Sequence, residues 1–279
     1  MNSPDIFHFT KHFLKNPELR TCDLADLYKR LEINSKNPLA AEDCTFFTLE
    51  TSEENPFLTE CLKKLNIEYI NVGEASHFNK VKELYPMEKC KYPMLGKLPS
   101  WKFTYIWKMM ALYHYMKENR FKKYFFYLDQ RDVLMVDTPH RSLEIFKSSG
   151  CDLIFNADQF CVYFPMSVRQ DKEVHSDVNK YFANYGDVKK FEEDTYSDEA
   201  FVDEGHKTRY LNGGCFMGHT DYYFSFLENY HDFIMEFLNL DDQAIMHHFH
   251  FCYYPKIKLD NKGQIFRRIC SKQELGIKP

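Results

Sequence analysis

Two aspartates three residues apart, Asp129 and Asp132, follow the strongest strand signal in the chain, Tyr124–Leu128. In open α/β sheets, ligands bind beyond the carboxyl ends of the strands. Two carboxylates held close together need a positive charge between them, and a divalent cation supplies it. Carboxylate oxygens favour Mn²⁺ or Mg²⁺, which also bind the diphosphate of a substrate. The alternative is structural, with Asp129 capping the turn and Asp132 paired with a basic residue.

The glycines indicate a second candidate segment for ligand binding. Glycine makes up 10 of 279 residues, and Gly213–Gly214 is the single adjacent pair, directly after Asn212 and before a short apolar strand. Glycine lets the backbone approach a ligand closely and adopt a positive φ angle. The pair therefore predicts a ligand-bordering segment, with a simple turn as the alternative. Neither G-x-G-x-x-G nor G-x-x-x-x-G-K-[ST] occurs, so the dinucleotide and P-loop motifs are not present.

A pair of acids, Asp241 and Asp242, opens a helical segment. As structural residues they would cap that helix and complement its dipole. As functional residues, one of them would accept a proton from an attacking hydroxyl.

Lysines and histidines offer further chemistry. Lys102 and Lys108 lie on the helix that precedes the aspartate strand, and Lys102 near its N-terminus would bind a phosphate, unless it is simply solvated. His247, His248 and His250 have no carboxylate or cysteine beside them at metal spacing. We therefore interpret the three histidines as structural.

Strand and helix patterns alternate along the chain, which predicts a mainly parallel α/β sheet in a single domain. Strands are predicted at 44–49, 67–72, 124–128, 151–155, 257–260 and 265–269, with a short one after Gly214. Helices are predicted at 56–65, 101–117, 139–148 and 221–238, with one more from Asp241. Residues 1–43 are interpreted as an N-terminal extension packed on a domain of residues 44–279. Residues 160–205 form a variable loop region within it, whose acidic part holds eight acids and two lysines over 187–204.

Composition excludes several classes. A net charge of −5 argues against a nucleic-acid groove. Nine cysteines, the closest two ten residues apart, argue against a zinc cluster, a redox pair or a disulfide framework. The sequence has neither an 18-residue apolar run nor a secretory signal at its start, which predicts no membrane span and a cytoplasmic protein.

Five motifs in this order resemble a GT-A glycosyltransferase, with a mixed, mainly parallel, Rossmann-like sheet flanked by helices. They are the strand with D-x-x-D, the strand ending in Asn-Ala-Asp158, the Leu211–Gly218 segment, Asp-Asp-Gln243, and Leu-Asp260 followed by Ile-Phe266. The pattern is most similar to the glycosyltransferase domain of procollagen lysyl hydroxylases. It is more distantly similar to stand-alone glycosyltransferases of large algal DNA viruses, which implies a viral enzyme working in the host cytoplasm.

The resemblance implies a role for each matching residue. Thr48, Leu49 and Glu50 would line the nucleoside pocket, and Asp129 and Asp132 would hold Mn²⁺ against the diphosphate. Donor and acceptor would be contacted by Asp158, Asn212, Gly213, Gly214 and Gln243, with Asp241 and Asp242 facing the reacting centre. The family has a histidine metal ligand where Asn261 stands here, so Asp260 or Asn261 would take its place. Arg131 replaces the family's aromatic residue between the two metal aspartates.

The resulting hypothesis is a metal-dependent glycosyltransferase that moves a sugar from a UDP-sugar to a hydroxyl of a glycan or glycoprotein. UDP-xylose, UDP-glucose and UDP-galactose are the candidate donors. Two alternatives stay open at this point. One is a nucleotidyltransferase or sugar-nucleotide hydrolase, and the other is a non-catalytic protein-binding module.

Overall fold

The computed structural model describes residues 6–9, 43–51, 56–91, 107–119, 121–129, 133–135, 139–163, 172–198, 200–203 and 206–269. The strands are β1 (Ile6–Phe9), β2 (Cys44–Thr48), β3 (Tyr69–Asn71), β4 (Tyr124–Leu128), β5 (Val133–Met135), β6 (Leu153–Asp158), β7 (Val202–Asp203), β8 (His206–Lys207), β9 (Tyr210–His219), β10 (Ile257–Asp260) and β11 (Phe266–Ile269). The helices are α1 (Pro56–Lys64), α2 (Ala75–Leu84), α3 (Lys108–Glu118), α4 (His140–Ser149), α5 (Lys172–Val178), α6 (Tyr185–Thr195), α7 (Thr220–Asn229), α8 (His231–Glu236) and α9 (Asp242–Tyr253).

A six-stranded sheet in the order β10-β6-β9-β4-β2-β3 forms the centre of the protein. Strand β9 runs antiparallel to both of its neighbours, β4 and β6, while the other neighbouring pairs are parallel. The predicted fold class is therefore confirmed as a mixed, mainly parallel α/β sheet flanked by helices.

Both faces of the sheet are buried, which explains why β4 is apolar along its whole length. Successive side chains of a strand point to opposite faces. Phe125 and Tyr127 accordingly pack with the side of the core that contains α3, α7 and α9. Tyr124, Phe126 and Leu128 pack on the other side, with α1 and α4. Asp129 continues the register of Phe125 and Tyr127, so its side chain is directed to the α3 and α9 side.

A second sheet, β11-β1-β5, joins the two ends of the described chain. Strand β1 pairs parallel with β11 and antiparallel with β5, and Ile6 is fully buried. Residues 6–9 thus pair with the rest of the protein, and the N-terminal extension as a whole stays a prediction. The boundary at residues 43 and 44 stays a prediction.

Two predictions about local structure were wrong. The region 160–205, expected to be an irregular loop, contains the helices α5 and α6. The pattern of α6 was hidden because its buried positions are Val188 and the acidic Glu192. The single helix predicted at 221–238 is divided into α7 and α8 at Tyr230.

One helix was missed and one prediction is only partly covered. The sequence reading passed over α2, which buries only Phe78 and Val81 and so shows a weak apolar stripe. The helix predicted at 101–117 is described from Lys108 onward, and residues 101–106 lie outside the described residues.

Candidate active site

The carboxyl ends of β2, β4, β6 and β10 lie at one edge of the main sheet, because these strands run in the same direction. Thr48 ends β2, Asp129 follows β4, Asp158 ends β6 and Asp260 ends β10. The first half of β9, which contains the glycine pair, runs back along the same edge. Residues separated by up to about two hundred positions in the sequence are thereby brought to one edge of the sheet.

A β-bulge places the glycine pair. Phe155 of β6 is opposite Phe216 of β9, but the next residue, Asn156, is opposite Asn212. Residues 213–215 therefore bulge out of the ladder with β6. Neither Gly213 nor Gly214 has a positive φ angle, so the expected conformational reason for glycine does not apply here. A Cβ atom on Gly213 would lie 3.5 Å from Oδ2 of Asp242, an ordinary contact.

Lys108 is the centre of a buried polar cluster, which we call the lysine cluster: Lys108, Asp129, Asp242, Gly213 and Tyr127. The ammonium nitrogen lies 2.8 Å from Oδ2 of Asp242 and 3.5 Å from Oδ1 of Asp129. It also donates to the Gly213 carbonyl over 2.9 Å and lies 4.9 Å from the centre of the Tyr127 ring. The bulge is what turns this carbonyl toward α3.

The charges of the lysine cluster are held away from water. Lys108 is 3% exposed, Asp242 6% and Asp129 9%. Burial is the largest influence on Lys108 and opposes its charge, but Asp129 and Asp242 together outweigh it and raise the pKa of the ammonium group above its ordinary value. Lys108 is therefore a fixed positive charge between two acids from different parts of the chain.

Asp129 is oriented by more than the lysine. The Tyr127 hydroxyl donates to its Oδ1 over 2.8 Å, and its backbone N–H donates to the Gly214 carbonyl over 2.8 Å. Two groups thus contact one oxygen of the carboxylate, which holds its plane in a defined orientation. A carboxylate positioned in this way suits a metal ligand or an electrostatic role better than a surface cap.

The start of α9 faces the bulge. Asp241 caps the helix by accepting from the Gln243 backbone N–H, and it has a positive φ of 93°. The Gln243 side chain accepts from the Gly213 N–H over 3.3 Å and donates to the Val162 carbonyl over 3.4 Å. Asp241 is therefore the helix cap and Asp242 joins the lysine cluster, while the proton-accepting role stays a prediction.

Asp158 and Asn212 connect β6 with the bulge. The Asn212 side-chain Nδ2 donates to Asp158 Oδ2 over 3.1 Å, and its side-chain Oδ1 accepts from the Gly214 backbone N–H over 2.8 Å. The other oxygen of Asp158 accepts from the Phe160 N–H over 3.0 Å. Asp158 is buried, and the donor-sugar role predicted for it stays a prediction.

The segment predicted to line a nucleoside pocket offers little surface. Thr48 and Leu49 are each 1% exposed, and Glu50 is 5% exposed. The Glu50 backbone exchanges two hydrogen bonds of 2.9 Å with the Asn71 side chain, and Gly73 packs against it so closely that a Cβ atom there would lie 2.5 Å from the Glu50 carbonyl oxygen. The nucleoside role of residues 48–50 stays a prediction.

Asp260 lies on the edge strand β10, three strands away from β4 and Asp129. Strands β10 and β4 are separated by three strand spacings, about 14 Å at ~4.8 Å each. The Asp260 carboxylate accepts from the backbone N–H groups of Gln264, Ile265 and Phe266 over 2.7–3.0 Å, so it closes the turn before β11. Burial raises its pKa, against the opposing effect of those N–H groups. The Asn261 carbonyl accepts from the Phe201 N–H, and the metal role of these two residues stays a prediction.

Lys102, Arg131 and Asp132 lie outside the described residues. The predicted phosphate contact of Lys102 and the second metal aspartate are therefore untested by the structure.

Lys108 is the residue whose role the sequence reading missed. The signal was present: the segment Lys108–Met116 is apolar almost all round, and the structure buries both sides of that helix. A lysine inside such a pattern is buried with the helix and needs an acidic partner.

No protein-family model and no curated protein sequence matches the chain. Among solved structures, the chain is similar to the crystal structure of mouse xyloside xylosyltransferase 1 in its apo form. The TM-score is 0.40 and the identity 14%, over 90% of this chain and 82% of that chain. The likeness to procollagen lysyl hydroxylases and to algal-virus enzymes stays a prediction.

In the part of the chain that the structure describes, no helix combines the length and apolar character that crossing a membrane requires. The cytoplasmic location stays a prediction.

Proposed function

We propose that the protein is a metal-dependent glycosyltransferase that moves a sugar from a UDP-sugar to a hydroxyl group of a glycan or glycoprotein. The observation that carries this proposal is the lysine cluster at the carboxyl edge of the sheet. There, two acids that the motif order singles out, Asp129 and Asp242, meet across one buried ammonium group. A buried charge cluster of this kind is common at catalytic sites.

The donor set at this edge fits a hard divalent cation. Asp129, together with Asp132, would hold Mn²⁺ or Mg²⁺, because carboxylate oxygens are the ligands that these ions prefer. The ion supplies positive charge for the departing diphosphate when it is bound. The protein's own contribution is to orient Asp129, which Tyr127 and Lys108 contact at Oδ1.

Asp242 is the candidate for direct participation in transfer. Its carboxylate is held in place by the Lys108 ammonium and sits beside the Gly213 backbone. In an inverting enzyme it would accept the proton of the attacking hydroxyl. In a retaining enzyme it would stabilise the positive charge that develops on the sugar. The anomeric configuration of the product distinguishes the two mechanisms.

The neighbouring side chains would shape the sugar subsite. Asn212 links Asp158 to the bulge, and Gln243 links the bulge to residue 162. Asp158, Asn212, Gly213, Gly214 and Gln243 are therefore one hydrogen-bonded unit, which we propose borders the donor sugar and the acceptor.

A thermal-shift panel tests the donor class. UDP-xylose, UDP-glucose, UDP-galactose, a GDP-sugar and a CMP-sugar are each added with Mn²⁺ and with EDTA. We expect stabilisation by a UDP-sugar with Mn²⁺ that EDTA abolishes. The same pairs are then assayed for sugar release and for transfer to a hydroxyl acceptor.

Asp129→Asn and Asp232→Asn form a matched pair for the activity assay. Asp129→Asn should abolish Mn²⁺-dependent transfer with its folded circular dichroism spectrum intact. Asp232, whose side chain is fully exposed, should leave transfer unchanged when converted to Asn. Nucleotide transfer without sugar transfer would favour the nucleotidyltransferase alternative. An absence of any nucleotide-dependent stabilisation would favour a protein-binding module.

A further inference from the structure

Away from the lysine cluster, the fold brings together three side chains that sequence spacing keeps far apart. They are Cys161 after β6, Glu192 on α6 and His247 on α9, which we call the Cys-Glu-His cluster. One ligand atom from each lies within 4.8 Å of the others. Glu192 and His247 are fully buried, while Cys161 is partly exposed. The histidines thus acquire the carboxylate and cysteine neighbours that the linear sequence does not show.

Glu192 carries a buried charge that needs compensation. Its Oε1 lies 2.9 Å from Nδ1 of His247 and 3.0 Å from Nδ1 of His250. Within the described ranges, these two imidazoles are the ion-pair partners of Glu192, and no lysine or arginine lies within 4.0 Å of it. An isolated carboxylate in the interior is costly, so a positive charge is expected next to it.

His250 contacts the same oxygen of the Glu192 carboxylate as His247 does. The Tyr196 hydroxyl accepts from the Leu259 backbone N–H over 3.1 Å and lies 2.8 Å from His250 Nε2. Because an ionised carboxylate only accepts hydrogen bonds, His250 donates from Nδ1 to Oε1 of Glu192 over 3.0 Å. It serves to orient the carboxylate, as outer groups do around metal ligands.

Two buried polar atoms of the Cys-Glu-His cluster lack a hydrogen-bond partner among the described residues. These atoms are Oε2 of Glu192 and Nε2 of His247. Buried polar atoms are almost always satisfied, so a pair of exceptions in one cluster points to a missing partner. A protein group that could supply it is not found among the described neighbours.

We propose that Cys161, Glu192 and His247 bind a transition-metal dication of the Zn²⁺ type, at a site separate from the lysine cluster. A thiolate, an imidazole and a carboxylate are the ligand set that zinc accepts, whereas Mn²⁺ and Mg²⁺ prefer oxygen alone. One dication with one thiolate, one carboxylate and a neutral imidazole leaves no net charge. Zinc bonds of about 2.0–2.3 Å put ligand atoms about 3.4–3.7 Å apart, so the cluster closes by small side-chain rotations.

The site would tie the sugar subsite to the core. Cys161 comes three residues after Asp158, and His247 lies one helical turn after Gln243, whose amide reaches Val162. The Tyr163 ring packs edge to face against the His247 imidazole, with ring centres 5.6 Å apart. A bound ion would therefore hold residues 158–163 against α6 and α9, while the partly exposed Cys161 leaves it a route from solvent.

Cobalt titration tests the proposal without relying on activity. The full chain is reduced, stripped with EDTA, freed of chelator and titrated with Co²⁺, whose bond to a thiolate gives a near-ultraviolet charge-transfer band. We expect one such band that saturates at one Co²⁺ per chain and is bleached by Zn²⁺. Mn²⁺, which competes for carboxylate sites, should leave it in place. Zn²⁺ alone should raise the thermal midpoint.

Cys161→Ser is the decisive variant, because a partly exposed cysteine tolerates this change, and Cys252→Ser is its matched control. Cys252 is exposed and lies 3.9 Å from His248, but its group includes no buried carboxylate. Cys161→Ser should abolish the band, and Cys252→Ser should retain it. Absence of the band in the unmodified chain would overturn the proposal, as would its survival in Cys161→Ser or its loss in Cys252→Ser. Glu192→Gln and His247→Asn, where they fold, should weaken cobalt binding at least tenfold.

Discussion

The ammonium nitrogen of Lys108 lies 2.8 Å from Oδ2 of Asp242, joining the first residue of α3 to the first residue of α9. Both side chains are almost fully buried. The same ammonium group lies 3.5 Å from Asp129, so one lysine balances two acids at the sheet edge. The free energy of unfolding should therefore change when one of these charges is removed.

Lys108→Met should lower the free energy of unfolding by about 3–5 kcal/mol, because it leaves two buried carboxylates without their counter-charge. Urea denaturation measures the loss. The matched control is Lys80→Met, which removes an exposed ion pair with Glu118 of the same 2.7–2.8 Å length. That change should cost far less, since water screens exposed charges. Equal losses in the two variants would contradict the burial argument.

The coupling between Lys108 and Asp242 should appear in a double-mutant cycle. Lys108→Met combined with Asp242→Asn should cost less than the sum of the two single changes, because the second removes a charge that the first left unpaired. Additive losses would show that the two groups do not interact in solution.

Tyr127→Phe should lower the free energy of unfolding by about 1.5–3 kcal/mol, the usual range for a hydrogen bond to a charged group. It removes the 2.8 Å bond to Asp129 and keeps the ring, which stacks on Phe216. Tyr223→Phe is the control, since the Tyr223 hydroxyl is buried without a hydrogen-bond partner in the described structure. Losing that hydroxyl should be neutral or stabilising by the same denaturation measurement.

Gly73→Ala should destabilise the protein by about 1–3 kcal/mol, the usual cost of overpacking. Its Cβ would lie 2.5 Å from the Glu50 carbonyl oxygen, and a backbone atom cannot rotate away. Gly213→Ala should cost less in stability, because its Cβ meets Asp242 at 3.5 Å. Thermal unfolding of both variants checks the order, and a larger loss for Gly213→Ala would contradict the described packing.

His248 should make the protein less stable in acid. Burial lowers the pKa of His248 from 6.5 to about 4, and its Nδ1 accepts from the Ala183 N–H. Between these values the unfolded chain takes up a proton that the folded chain refuses, so stability falls as the pH drops from 6.5 toward 4. Above pH 6.5 this group has no effect. The full loss is about 3.5 kcal/mol at ~1.4 kcal/mol per pH unit, reached once the pH is below both pKa values.

His248→Asn isolates this effect, because its carbonyl oxygen can still accept from Ala183 but does not titrate. The unfolding free energy of the variant should depend less on pH between 6.5 and 4 than that of the unmodified chain. Parallel curves for the two proteins would refute the role of His248.

Much of the fold was readable from local patterns. The apolar run of β4 predicted a doubly buried strand, and the aspartates at 241 and 242 predicted the start of α9. These signals are local: a strand buried on both faces needs apolar residues throughout, and a helix start needs a capping acceptor. Helix α6 was missed because a buried glutamate interrupts its apolar stripe, and that glutamate is stable only through histidines of another helix.

The sequence by itself placed Asp129, Asp158 and Asp260 at the ends of strands, because each follows a mostly apolar run, and the alternation of strands and helices predicts a mainly parallel sheet whose strand ends share an edge. Only the tertiary structure decided which charges meet. Lys108 reaches Asp129 and Asp242, Asp260 is turned to its own backbone, and Glu192 meets His247 and Cys161. The physical reason is that an ion pair depends on the distance between its charges. In the packed interior, side chains that are far apart in sequence become neighbours.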